Sequence, residues 1–145
     1  MSDVLTLSQI RVPGTARSKD DAIREAGEML VEAGAVTPEY IDSMYERERS
    51  VSTYMGNYLA IPHGTNESKE SIKRSALSVI RYPEPIDWDG NEVLFALGIA
   101  GYQGGHMDIL SRIAIVFSDT DEVDKLVAAQ SAQEIYDLLN AVNEE

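Results

Sequence analysis

Eight consecutive positions, Val93-Leu94-Phe95-Ala96-Leu97-Gly98-Ile99-Ala100, carry no polar side chain. A strand with one wet face alternates apolar and polar residues, so an unbroken apolar run of this length reads as a strand covered on both faces. Helices are the elements that supply such cover, and the run therefore predicts helices on both sides of a sheet. Asp89-Gly90 marks a tight turn just before it, and Gly101 follows it. The run is far short of the roughly 20 apolar residues needed to cross a bilayer.

The remaining segments fit that frame. Ser18 is a suitable N-cap, with Asp20 and Asp21 in the first turn, where negative charge meets the positive end of the helix dipole. Ile23, Ala26, Met29, Leu30 and Ala33 then recur at helical spacing, and Gly34 supplies the stop. Thr37-Pro38 opens a second helix, since proline fits the first helical position; Ile41, Met44 and Tyr45 form its expected apolar side. Short, partly β-branched runs at 58–61 and 76–82 read as further strands. Ile109, Leu110, Ile113, Ala114 and Phe117 follow helical spacing, a further helix is expected over 121–129, and Ser131 with Glu134 forms a capping box for a last one. The expectation is a single α/β domain over 1–145, a small mixed β-sheet flanked by α-helices on both sides.

Composition removes several classes of function. With 25 acidic and 12 basic residues the formal net charge is -13, which opposes binding to nucleic acid or anionic lipid. The absence of cysteine excludes disulfide scaffolds, thiolate nucleophiles and cysteine-based metal sites. The start of the chain lacks a basic segment followed by an apolar one, so a cytoplasmic protein without direct membrane insertion is expected.

The two histidines lie where loops meet regular structure. His63, in Leu59-Ala60-Ile61-Pro62-His63-Gly64-Thr65, ends a predicted strand, and His106 follows the central apolar run after Gly104-Gly105. Ligands gather beyond the carboxyl ends of strands in sheets of this kind, which can bring the two together. A neutral imidazole nitrogen is a good nucleophile near pH 7, and phosphoryl transfer asks for one in line, with fixed donors around the equatorial oxygens. Backbone N–H groups at Gly64 and Thr65, at the start of a short helix, suit an anion, and Arg47 or Arg49 can supply a planar fork. Each feature has a plainer reading. A histidine is commonly a solvated or core side chain, Glu46-Arg47-Glu48-Arg49 reads equally as a solvated helix end, and Gly104-Gly105 as a simple turn. No third strong ligand accompanies the histidines, so no metal site is expected, and no nucleotide loop is present.

Glu48 followed by Met55-Gly56-Asn57-Tyr58-Leu59-Ala60-Ile61-Pro62-His63-Gly64 resembles the active-histidine signature of the mannitol/fructose class of IIA proteins of the bacterial phosphotransferase system. The resemblance extends over nearly the whole chain, through the helix at 19–33, the segment 40–48, Gly105-His106-Met107 and the C-terminal helices, and it is greatest to the mannitol branch. It implies the mannitol-type IIA fold and a phosphotransferase component that works without cofactor or metal. On that resemblance His63 matches the histidine that takes a phosphoryl group from the carrier HPr and gives it to a cysteine of a IIB domain. His106 matches the family's second active-site histidine, and the site arginine falls on Arg47, with Arg49 the alternative. Some mannitol-type members carry an acidic residue in place of Asn57. A IIB domain needs a phosphocysteine, which this chain lacks, so the acceptor is expected on another polypeptide, the chain being either a free-standing IIA protein or an excised domain. Tyr54, Met55 and Ile109 are candidates for an apolar docking rim or, equally, ordinary core residues. Fructose-specific and nitrogen-related regulatory IIA proteins are the competing branches.

Overall fold

In the computed structural model, which describes residues 4–65, 70–102 and 106–140, the central apolar run lies within an antiparallel ribbon that forms the spine of the sheet. The elements in order are β1 (Ile10–Arg11), α1 (Lys19–Glu32), α2 (Glu39–Ser50), β2 (Tyr54–Gly56), β3 (Leu59–Ala60), β4 (Ala76–Trp88), β5 (Asn91–Ala100), α3 (His106–Phe117), α4 (Thr120–Ala128) and α5 (Ala132–Leu139). The five strands form one sheet in the order β1-β4-β5-β3-β2. β1 is parallel to β4 and β3 to β5, while β4–β5 and β2–β3 are antiparallel. The sheet is therefore mixed, as expected.

Side-chain alternation along β5 divides the core. Ala96 and Ala100 join Ile23, Ala26, Leu30, Tyr40 and Met44 on the side of α1 and α2. Phe95, Leu97 and Ile99 join Ile109, Ile113, Phe117, Leu126 and Ile135 on the side of α3, α4 and α5. Large side chains buried on both faces make water exclusion two-sided, with each fully buried Leu or Ile contributing roughly 1.5–3 kcal/mol. α1 sits close against the sheet because a Cβ at Gly98 would come within 2.5 Å of Ser78 Oγ and 3.1 Å of the Ala26 methyl. The Ser78 hydroxyl donates to the Ala26 carbonyl at 2.9 Å across that narrow gap.

The helix ends follow local chemistry. Ser18 Oγ accepts the Asp21 N–H, Gly34 adopts φ +75°, and Ser131 accepts the Glu134 N–H. The Glu134 carboxylate reaches Gln130 N–H rather than that of Ser131, so the capping box extends one residue further back. α4 starts at Thr120 on an Asp119 cap, slightly earlier than its charge pattern suggested.

Three features depart from the sequence expectation. The strand expected to stop at Tyr82 continues through Pro83 and Pro85 to Trp88, because a register irregularity between Arg81 and Ile86 relieves the ladder of the N–H groups proline lacks. β1 and β2 carry no readable pattern, being two and three residues long. The buried side of α2 is Tyr40, Ser43, Met44 and Glu48, whereas Ile41 and Tyr45 are half-buried. None of the described helices is long and apolar enough to cross a membrane.

Two polar contacts tie the halves of the molecule together. Glu25, buried on α1, accepts from Arg11, from the N–H and hydroxyl of Thr15, from Ala16 N–H and from the Tyr82 hydroxyl. Burial pushes its carboxyl pKa up, but the bonds from Arg11, Thr15 and Tyr82 outweigh this and hold it below its usual 4.5. Asn57 adopts φ +50°, in the left-handed region that asparagine tolerates, and its amide donates to the carbonyl of Phe117 at the end of α3 at 2.7 Å.

Two outcomes are expected. A carboxyl whose folded pKa is depressed stabilises the fold above its unfolded pKa, and that contribution is lost as pH falls through the folded value. Glu25→Gln should therefore melt below the wild type at pH 7, with the gap narrowing as pH falls below the usual 4.5; a gap that widens in acid contradicts the network. Asn57→Asp removes a donor and sets negative charge against the negative end of α3, and should cost about 1–3 kcal/mol in denaturant unfolding. Equal midpoints for the two proteins would show that this bond contributes nothing.

Candidate functional site

The carboxyl ends of β3 and β5 lie side by side because the two strands are parallel, pairing Leu59 with Phe95 and Ala60 with Ala96. The chain then continues beyond β3 through Ile61 and Pro62. The Ile99 N–H donates to the Pro62 carbonyl at 3.1 Å, and His63 forms an isolated parallel bridge with Ile99. His63 is thus fixed at the end of the central strand, half exposed. β5 ends at Ala100 and α3 begins at His106, so the topology starts that helix just beyond the same strand end. The imidazole of His106, like the expected turn at 104–105, lies outside the described residues.

The ring of His63 is held by its own backbone neighbourhood. Nδ1 lies 2.8 Å from the carbonyl oxygen of Ile61. A carbonyl can only accept, so Nδ1 carries the proton in this bond and the neutral ring keeps its lone pair on Nε2.

Gly64 behaves differently from the anion-binding role expected of it. Its N–H donates to the hydroxyl of Tyr40 at 2.9 Å, and that hydroxyl donates in turn to the Ile99 carbonyl at 2.7 Å. A buried phenol needs both an acceptor and a donor, and Gly64 N–H with Ile99 C=O meet the need. Burial pushes the Tyr40 pKa up to about 12, with the Gly64 N–H pulling the other way, so the phenol remains a proton donor at neutral pH. Thr65 follows, half-buried. The short helix expected after Gly64 falls on residues outside those described.

The two candidate arginines separate. Arg47, half-buried in the last turn of α2, donates through Nη1 to the Val51 carbonyl at 2.8 Å. This holds the guanidinium against the chain where it leaves the helix for β2. Arg49, two residues on and about 200° around the helix, lines a crevice with Lys19, Asp20, Ile23, Tyr45 and Glu48. It therefore faces α1.

Glu48, 6 % exposed, accepts the N–H of Thr53 at 2.9 Å, the Thr53 hydroxyl and, at 3.1 Å, Nε1 of Trp88. Lys19 approaches the same carboxylate at 3.7 Å and bridges to Asp89 at 2.8 Å. Of the proposed apolar rim, Met55 is 53 % exposed, but Ile109 is a core residue at 4 % and Tyr54 packs partly against the α1 side of the core. Tyr40 and Thr53 were not singled out by sequence; a tyrosine near a helix start and a threonine before a strand carry no signal that their polar atoms will meet the His63 loop.

With this geometry in view, similarity to known proteins is informative. Residues 3–142 match the family described as phosphoenolpyruvate-dependent sugar phosphotransferase system, EIIA 2. The chain is 52 % identical over 141 residues to the mannitol-specific phosphotransferase enzyme IIA component of Halalkalibacterium halodurans, covering 97 % of each protein. It superposes on the crystal structure of IIA mannitol from Escherichia coli with TM-score 0.86 at 31 % identity, covering 93 % of this chain and 98 % of that one. A complex of Escherichia coli enzyme IIA mannitol with phosphorylated enzyme IIB mannitol gives TM-score 0.87 at 31 % identity, covering 93 % and 96 %. Extending over nearly the full length of the chain and reproducing its fold, these matches establish that it belongs to the EIIA type-2 family of the phosphoenolpyruvate-dependent sugar phosphotransferase system.

Proposed function

We propose that His63 is the phosphoryl carrier of this protein, receiving the group on Nε2 from the phosphohistidine of HPr and passing it to a cysteine of the IIB domain of a mannitol permease. The observation that carries the reading is the Nδ1 bond to the Ile61 carbonyl, which leaves the Nε2 lone pair as the nucleophile at the strand end of a IIA-family protein. In the first step the Nε2 lone pair forms a nitrogen–phosphorus bond as the bond to the donor imidazole breaks, and the donor nitrogen recovers its electron pair. In the second, a thiolate of the acceptor attacks the same phosphorus and the electron pair returns to Nε2. No proton has to leave Nδ1 in either step.

The phosphate-binding roles follow the same reading. Arg47 supplies the planar fork on the phosphoryl oxygens, and its anchorage to Val51 limits the side-chain entropy lost on binding. Arg49 is the weaker candidate because it faces the α1 crevice. His106, at the first position of α3, stands where N–H groups without intrahelical partners favour an anion. Such stabilisation must stay moderate, since a trapped phosphoryl group stalls the relay. Mannitol is favoured because relatives matched over nearly the full length at 42–52 % identity bear that name. IIB is favoured as acceptor because a mannitol IIA of the same fold forms a complex with phosphorylated IIB. The protein would then work in the cytoplasm, transiently at the inner face of the membrane.

Incubation with phosphoenolpyruvate, Enzyme I and HPr should place an acid-labile phosphoryl group on the wild type and none on His63→Ala. Label that survives the substitution overturns the assignment. Transfer from the labelled protein should be fast to a mannitol IIB domain and at least tenfold slower to a fructose IIB domain; the reverse order would make this a fructose carrier. With a net charge of -13, association with a basic face of HPr should slow as salt rises. A salt-independent association rate would exclude that electrostatic attraction.

A further inference from the structure

Two buried polar side chains of α2 converge on the short segment that holds His63. From the first turn of the helix, the Tyr40 hydroxyl takes the Gly64 N–H at 2.9 Å and gives its own proton to the Ile99 carbonyl at 2.7 Å. From the last turn, Glu48 takes the Thr53 N–H at 2.9 Å together with the Thr53 hydroxyl. The Thr53 carbonyl in turn accepts the Ile61 N–H at 3.1 Å, and the Ile61 carbonyl is the group that binds His63 Nδ1 at 2.8 Å. One side chain thus fixes the residue after the histidine. The other, through Thr53, fixes the residue whose carbonyl sets the ring tautomer.

We propose that Tyr40 and Glu48 are positioning residues for phosphoryl transfer, clamping the backbone on either side of His63 so that the ring keeps its proton on Nδ1 and presents Nε2 in a fixed direction. This rests on the reading of His63 as the phosphoryl carrier. Physical grounds for it are twofold. A neutral imidazole exchanges between two tautomers of similar free energy, so a single well-placed carbonyl acceptor decides which nitrogen is nucleophilic. In-line transfer is also intolerant of displacement, with a 1 Å error costing about 10²-fold. A 61–64 segment free to swing would meet neither demand.

Purely apolar packing of α2 would need neither contact: the ring of Tyr40 and the side chain of Met44 already bury that face. Glu48 also binds Trp88 and Lys19, so its loss affects stability as well as the loop. Tyr40→Phe keeps the ring and removes one hydroxyl, and so is the cleaner probe.

The test uses the intact chain labelled with 15N-histidine. The wild type should show the nitrogen shifts of a neutral His63 protonated on Nδ1. Tyr40→Phe and Glu48→Gln should show both tautomers, and the rate constant for transfer from saturating phospho-HPr should fall about tenfold, with KM for HPr changed less than twofold. Glu48→Gln keeps one acceptor for Thr53, so its loss should be smaller than that of Glu48→Ala. Ile135→Val, in the core on the opposite side of the sheet, should lower the melting temperature while leaving tautomer and rate unchanged. Wild-type tautomer and rate in folded Tyr40→Phe and Glu48→Gln overturn the proposal, as does a rate loss that Ile135→Val reproduces at equal loss of stability. The tautomer is read without any phosphoryl donor. A wild type labelled somewhere other than His63 would therefore sink the carrier assignment while the tautomer measurement still decides whether Tyr40 and Glu48 hold the ring.

Discussion

Burial of β5 on both faces is the constraint from which the remaining architecture follows. Phe95, Leu97 and Ile99 look one way, Ala96 and Ala100 the other, and each set must be shielded from water by helices. Small residues sit where α1 crosses, at Gly98, Ser78 and Ala26, and larger ones where α3 to α5 cross. The Tyr58 carbonyl accepts both the Leu94 and the Phe95 N–H groups, a bulge that resets which side chains face which layer. Once β3 pairs in parallel with this strand, the loop carrying His63 is delivered to the same end of the sheet from which α3 starts.

Around the histidine the important forces are polar. α2 turns a buried edge of Tyr40, Ser43, Met44 and Glu48 toward the sheet, an unusual face for a helix that packs on a core. A buried carboxylate is costly unless its oxygens are occupied, and Glu48 is supplied by Thr53, Trp88 and Lys19. The outcome is a hydrogen-bonded backbone beneath an imidazole that is itself half exposed. That division suits the role proposed for His63, in which one nitrogen is held in a single geometry yet stays accessible to partner proteins.

Much of this was legible in the sequence, and the illegible parts have physical reasons. Caps at Ser18 and Ser131 depend on one residue and the three that follow it, so local rules find them, whereas the Asp119 cap of α4 was read as part of a break. β1 and β2 escape because two or three residues cannot establish a period. β4 looked finished at Tyr82 because Pro83 and Pro85 break a ladder, and only the pairing partner shows that an irregularity absorbs them. The residues of the charged run did not by themselves separate Arg47 from Arg49, and only the family resemblance preferred Arg47, whereas the helix turns the two to different sides. Gly64 looked like an anion donor because its N–H follows a histidine, but a tyrosine from another element claims that N–H.

The sequence by itself determined the layered architecture, the placement of the helices to within a residue or two, the family signature around His63 and the exclusion of thiol chemistry, because these depend on periodicity, on contacts between near neighbours or on composition. Only the tertiary structure decided that Tyr40 binds the Gly64 N–H beside His63, that Glu48 reaches the Ile61 segment through Thr53, that the Ile61 carbonyl meets Nδ1 of His63 and that Ile109 belongs to the core. Those outcomes depend on where hydrogen-bonding groups distant in sequence come to rest when the sheet and its helices pack. A linear pattern records which groups must be satisfied, and the fold chooses their partners.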